Sequence, residues 1–167
     1  NQDAGGGIIT GSAAAFLILE SRGHAEARGA RIYATIDAIG GDRGSRDAGR
    51  LEARLEQLTD GAKAGAETIV FAGASGAHDV TAREKAWLGT RFEGSAVRGY
   101  SGVIGQSLEA QFPLGLALAA LTLGAGITVA PFDTAAETAM SAPAATAVVT
   151  TVGHSRGEGV AILSAEK

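Results

Sequence analysis

The sequence predicts an α/β protein in which a mixed sheet carries helices on both faces. From residue 31 onward, apolar runs of strand length alternate with stripes at the helical period. The last two apolar runs, 146–152 and 160–164, are separated only by residues 153–159, which predicts an antiparallel hairpin. A glycine count of 25 beside 5% aromatics suits tight turns and close approach of helices to strands.

Taken in order, residues 14–19 (AAFLIL) form an apolar run of strand length, and residues 31–39 place Ile32, Ala34, Ile36 and Ala38 on one face of a second strand. Between them, the alanine-rich stretch 21–28 reads as a short helix ended by Gly29. Leu51, Leu55, Leu58 and Ala62 recur at i, i+4, i+7 and i+11, the stripe of an amphipathic helix. A strand follows at 68–72. Thr81 and Glu84 have the spacing of a capping box and predict the start of a helix carrying Trp87, Leu88 and Phe92. Further on come a short strand at 96–98, an apolar helix after Gly105, a strand at 127–129, and an irregular Ala/Thr/Pro stretch up to the hairpin.

Composition narrows the function. Net charge is -4 and the basic residues are scattered, so no phosphate-binding footprint is present and nucleic acid is not an expected partner. The chain has no cysteine, hence no disulfide, thiolate metal site or thiol nucleophile of its own, which fits a cytoplasmic location. Residues 112–132 are uncharged over the length of a membrane span. Gly124-Ala125-Gly126 breaks that run and Pro131 closes it, so it reads as the central helix of a soluble core followed by a strand. The first residues, NQDAGGG, hold no initiator Met and no signal-peptide pattern, which suggests a fragment or processed piece.

The apparent motifs carry little chemistry. Gly153, Ser155 and Gly157 spell G-x-S-x-G, but a nucleophile elbow turns from strand into helix, whereas this one leads into a strand and no histidine follows. His24, His78 and His154 are far apart and show no ligand spacing, so neither metal nor cofactor is expected.

One stretch is recognisable. Residues 19–40, LESRGHAEARGARIYATIDAIG, resemble the β-ketoacyl-acyl-carrier-protein synthase family, whose chains carry a similar L-E-x-x-x-H-A-x-A-R-G-A-x-I-Y-A segment. GGGIITGSAAAFLILE upstream resembles the strand that precedes it there. The element order resembles the second half of a thiolase-like fold, so the resemblance implies that residues 1–40 are the tail of the N-terminal half and 41–167 the C-terminal half. The family's nucleophilic cysteine belongs to the first half and is not in this sequence.

The family's H-G-T-S-T motif falls on a stretch with Gly73 in the histidine position and Glu84 at the downstream glutamate. Its K-S-x-x-G-H motif falls on YSGVIGQ, with Ser101 at the lysine and Gln106 at the histidine. A gating Phe in the closing turn corresponds to His154, while His78 reads as a loop or helix-start residue. These departures imply a degenerate pocket formed by Gly73, Ser101, Gln106 and His154, with no catalytic residue in this chain. The stretch VFAGASG is similar to chain-length-factor subunits, the non-catalytic partners of active ketosynthases. That likeness implies an acyl carrier protein and an active ketosynthase subunit as partners, in a homo- or heterodimer. The alternative is an active condensing or acyl-transfer enzyme that uses a cysteine in the missing half, with Gln106 and His154 as replacement donors.

Overall fold

A computed structural model describes residues 7–166. Its strands are β1 (Thr35–Asp42), β2 (Thr68–Ala72), β3 (Ala96–Gly99), β4 (Thr146–Val152) and β5 (Glu158–Ser164), in the spatial order β1-β5-β4-β2-β3. β2 runs parallel to both β3 and β4, whereas β5 is antiparallel to β4 and β1. The helices are α1 (Arg22–Ala27), α2 (Arg50–Leu58), α3 (His78–Arg91), α4 (Ser101–Ile104) and α5 (Gln111–Ala125), the last entered through a 3-10 turn at Leu108–Ala110.

Side chains alternate along a strand, and here both sets are apolar because both faces are covered. Val70 and Ala72 of β2, Val148 and Val152 of β4, and Val160 and Ile162 of β5 meet Leu51 and Leu55 of α2 and Trp87 and Leu88 of α3. The intervening residues, Ile69, Phe71, Ala147, Val149, Ala161 and Leu163, meet Leu116, Ala119 and Leu123 of α5. The expected sheet with helices on both faces is therefore present. Leu108–Ala125 is apolar and long enough to cross a membrane by length and composition alone, and α5 lays one side of itself on the sheet.

Four expectations need correction. Residues 14–19 form no strand: Leu17 leans on the α5 core, but Phe16 is 96% exposed and no neighbouring strand pairs with the segment among the described residues. The strand expected at 31–39 is shifted, because β5 sets its register from Thr35 opposite Ser164 to Asp42 opposite Glu158. Residues 127–129 form no strand either. The Arg98 guanidinium, fully buried on β3, donates from Nε and Nη2 to the Val129 carbonyl at 3.1 and 2.7 Å and occupies the group a ladder would have used. Finally, α3 starts one turn before the proposed capping box, so Thr81 lies inside the helix and its Oγ1 accepts the Gly76 N–H at 3.0 Å.

The helix α5 touches the sheet closely at Gly115. A Cβ there would sit 2.6 Å from Val149 Cγ1 and 2.7 Å from Tyr100 Oη. Gly89, inside α3, faces open space. Alanine is favoured over glycine in a helix by about 1 kcal/mol, so Gly89→Ala should stabilise the protein by up to that amount. Gly115→Ala should instead destabilise it by about 1–3 kcal/mol, the cost of overpacking. Urea unfolding of the two variants separates the effects.

Candidate functional site

Ligands in open α/β sheets bind beyond the carboxyl ends of the parallel strands, and that is where the motif positions gather. β2 is prolonged by one bond, Gly73 N–H to the Thr150 carbonyl at 2.8 Å. The chain then bends through Ala74, which has a left-handed φ of 44°. A Cβ at Gly73 would lie 3.1 Å from Thr151 Cγ2 and 3.2 Å from the Thr150 oxygen. A larger residue fits there only if β4 yields.

Ser101 opens α4 directly across from this bend. Its hydroxyl lies against the Gly73 carbonyl and 3.2 Å from Gln106 Oε1, so three of the four motif positions adjoin. Gln106 is held by its backbone: its N–H donates to Ile9 O at 2.7 Å and its carbonyl accepts the Gly11 N–H at 2.9 Å. Gly105 and Gly11 make that approach possible, since a Cβ on Gly11 would collide with the Ile104 oxygen at 2.0 Å.

The residue that organises the group is Gln111, which sequence reasoning missed. It is buried at the start of α5, where Nε2 donates to Ser101 Oγ at 2.6 Å and to Gly73 O at 3.3 Å, and Oε1 accepts the Ser107 N–H at 2.9 Å. Tyr100 Oη donates to the Gln111 carbonyl at 2.9 Å, and burial raises the Tyr100 phenol well above its usual range. The available signal was a lone amide opening an otherwise apolar helix.

Together these residues wall a cavity of about 290 Å³, lined by Gly73, Ser75, Gln106, Gln111, Phe112 and Thr151 on one side. Gly153, Gly157 and Glu158 of the hairpin close the other. His154 and Ser155 stand exposed on that turn, outside the lining, and His78 is the first residue of α3. The lining offers amides, hydroxyls and carboxylates but no imidazole, thiol or amine. Such a wall can hold a carbonyl by hydrogen bonds. Among the described residues no cluster of His, Asp or Glu could hold a metal ion.

Behind the wall lie buried charges. Glu158 pairs with Arg46 at 2.7 Å and Arg54 at 2.9 Å. Glu84, buried in α3, accepts the Thr150 hydroxyl on Oε1 at 2.7 Å while Oε2 has no hydrogen-bond partner. Burial pushes its carboxyl up to about 7, against the opposing pull of Thr150, the Ala74 amide and Arg46.

Comparison with solved structures places this fold among the ketosynthases. The ishigamide ketosynthase/chain length factor matches with a TM-score of 0.74 at 22% identity, over 96% of this chain and 45% of that one. A type II polyketide-synthase acyl-carrier protein in complex with its ketosynthase bound to the hexaketide matches at 0.69 and 18%, over 89% of this chain and 42% of that one. A β-ketoacyl synthase from Burkholderia phymatum STM815 matches at 0.65 and 18%, over 89% and 41%. The chain thus has the fold of one half of a thiolase-like ketosynthase and spans less than half the length of these proteins. No protein-family model matches the sequence, and no curated protein matches it.

Two variants probe the site. Gln111→Leu strips partners from the Ser107 amide and the Ser101 hydroxyl and should cost about 1–3 kcal/mol in urea unfolding. Glu84 has a folded pKa above its ordinary 4.5, so its ionisation destabilises the fold as pH rises from about 4.5 through about 7. Glu84→Gln, which keeps an acceptor for Thr150, should therefore gain roughly 3 kcal/mol on the wild type across that window, at about 1.4 kcal/mol per pKa unit. A stability difference that stays flat with pH would contradict the raised pKa.

Proposed function

We propose that this chain is the C-terminal part of a ketoacyl-synthase-fold subunit that does not itself catalyse condensation. It works as a chain-length-factor-like partner of an active ketosynthase in fatty-acid or polyketide elongation. The observation that carries this reading is the cavity itself. Its walls survive, while the positions where the resembling family keeps a lysine and two histidines hold Ser101, Gly73 and Gln106. Glycine has no side-chain donor, and neither serine nor glutamine can carry the positive charge that stabilises a developing anion.

On this reading residues 1–40 end the N-terminal half and 41–167 form the C-terminal half. The intact protein dimerises with an active subunit in the cytoplasm and meets an acyl carrier protein there. Support comes from the kind of structures that share the fold, which include a ketosynthase/chain length factor and a ketosynthase complexed with its carrier protein.

Co-expression of the full-length protein with its cognate ketosynthase is the test. A stable heterodimer whose products change length when the subunit is omitted is the expected result. A self-dimer with no effect on product length overturns the proposal. Covalent loading of the full-length protein by an acyl thioester would favour the active-enzyme alternative instead.

A further inference from the structure

The two walls of the cavity are held differently. Gly73, Ser101 and Gln111 are tied by hydrogen bonds within their own wall. The opposite wall is the turn beyond the last ladder pair of the hairpin, Val152 opposite Glu158. A main-chain bond from the Gly153 N–H to the Gly157 carbonyl closes it at 2.7 Å, and its glycines leave such a turn many backbone states. A clamp from outside the hairpin narrows them. Arg46, in the loop between β1 and α2, donates from Nη2 to the Gly153 carbonyl at 2.9 Å, and the same nitrogen lies 2.7 Å from Glu158 Oε1. One nitrogen therefore touches both ends of the turn.

Glu158 Oε1 receives no aligned hydrogen bond, so the ion pair supplies attraction while the Gly153 bond supplies direction. Arg46 Nε and Nη1 are buried and bond nothing among the described residues, so no other bond competes for the orientation of the guanidinium. The Arg46 backbone is fixed in turn from α3. Arg83 Nη1 donates to its carbonyl at 3.0 Å, while Arg83 Nε and Nη2 hold Glu52 of α2 at 2.7 and 2.8 Å. Arg54 completes the frame, with Nε on Glu158 Oε2 and Nη2 on the Ser45 carbonyl, each at 2.9 Å.

We propose that Arg46 is a positioning residue that fixes the hairpin wall of the cavity and thereby the length of chain the cavity accepts. This rests on the chain-length-factor-like reading above and gives that reading a gauge. A pocket distinguishes one methylene from the next only if its wall stays in place. Here Gly153 and Gly157 line the cavity with backbone alone, so the position of the turn, and no side chain at those two residues, sets the limit. Removing the guanidinium frees the Gly153 carbonyl but leaves Glu158 paired with Arg54. The turn then loosens while the buried carboxylate keeps a partner.

The test uses the full-length protein, alone and with its cognate ketosynthase. Arg46→Met keeps the aliphatic stem and should speed hydrogen exchange of the Gly153 amide by about tenfold, while the Gly73 amide, bonded to Thr150, keeps its rate. Per heterodimer formed, the ratio of the main product length to the next longer one should fall by about tenfold, the discrimination one charge-assisted bond can carry. Arg46→Lys, which retains a charged donor, should give intermediate values of both. Unchanged exchange at Gly153 in Arg46→Met overturns the proposal. So does faster exchange with an unchanged length ratio, where the wild-type subunit controls length. If omitting the wild-type subunit leaves product length unaltered, the functional reading falls and the length role falls with it; exchange still decides whether Arg46 holds the turn. Should Arg46→Met not fold, Arg46→Lys carries both readouts, and wild-type values there count against the proposal.

Discussion

Thr150 holds the site to the sheet. Its carbonyl accepts the Gly73 N–H at 2.8 Å and its hydroxyl donates to Glu84 at 2.7 Å, so one residue of β4 anchors both the end of β2 and the body of α3. The bend at Ala74 is compressed between those two anchors. Its left-handed backbone, unfavourable for a residue with a Cβ, is sustained by the anchors and by the Glu84 carboxyl beneath its amide. Ser101 and Gln111 then close on the Gly73 carbonyl from the opposite side.

Legibility followed local determination. Thr68–Ala72 was readable to the residue because a strand buried on both faces is apolar at every position and bounded by polar turns. The hairpin was equally plain, although β5 begins two residues early because Gly157, with φ of +97°, closes the turn through the Gly153 N–H. What misled was partnership across distance. An apolar run such as 14–19 has strand composition, yet a strand exists only beside another, and composition does not name the neighbour. Residues 127–129 show the same limit from the other side. The carbonyl that a β ladder needed went to Arg98, a side chain whose full burial nothing in the local pattern announces.

The site was partly visible for a different reason. Gly73, Ser101 and Gln106 came together because the resemblance located them within two short motifs, and the backbone brings those motifs to adjacent strand ends. His154 was located within a turn, and turns constrain side-chain direction weakly; it stands in solvent. Glu84 was matched to the motif but read as a helix cap. Its burial followed once α3 was found to begin a turn earlier, which moves position 84 from the helix end to the face against the sheet. Gln111 went unnoticed because a single amide beside an apolar run carries no motif.

Counting protons shows what the Gln111 group can do. Gln111 Nε2 has two hydrogens, one for Ser101 Oγ and one for Gly73 O, and its Oε1 is taken by the Ser107 amide. Ser101 has one proton and two candidate acceptors, Gly73 O and Gln106 Oε1, of which the carbonyl is the nearer. With that proton on Gly73, every capacity in the trio is spent on holding the wall together. Gln106 is left as the amide with capacity toward the cavity, able to present either its donor or its acceptor end by rotating its carboxamide. That end suits a neutral polar group, which it can meet with a donor or an acceptor. The Gln111 group is thus spent on the shape of the wall, and Gln106 is its adjustable contact with the cavity.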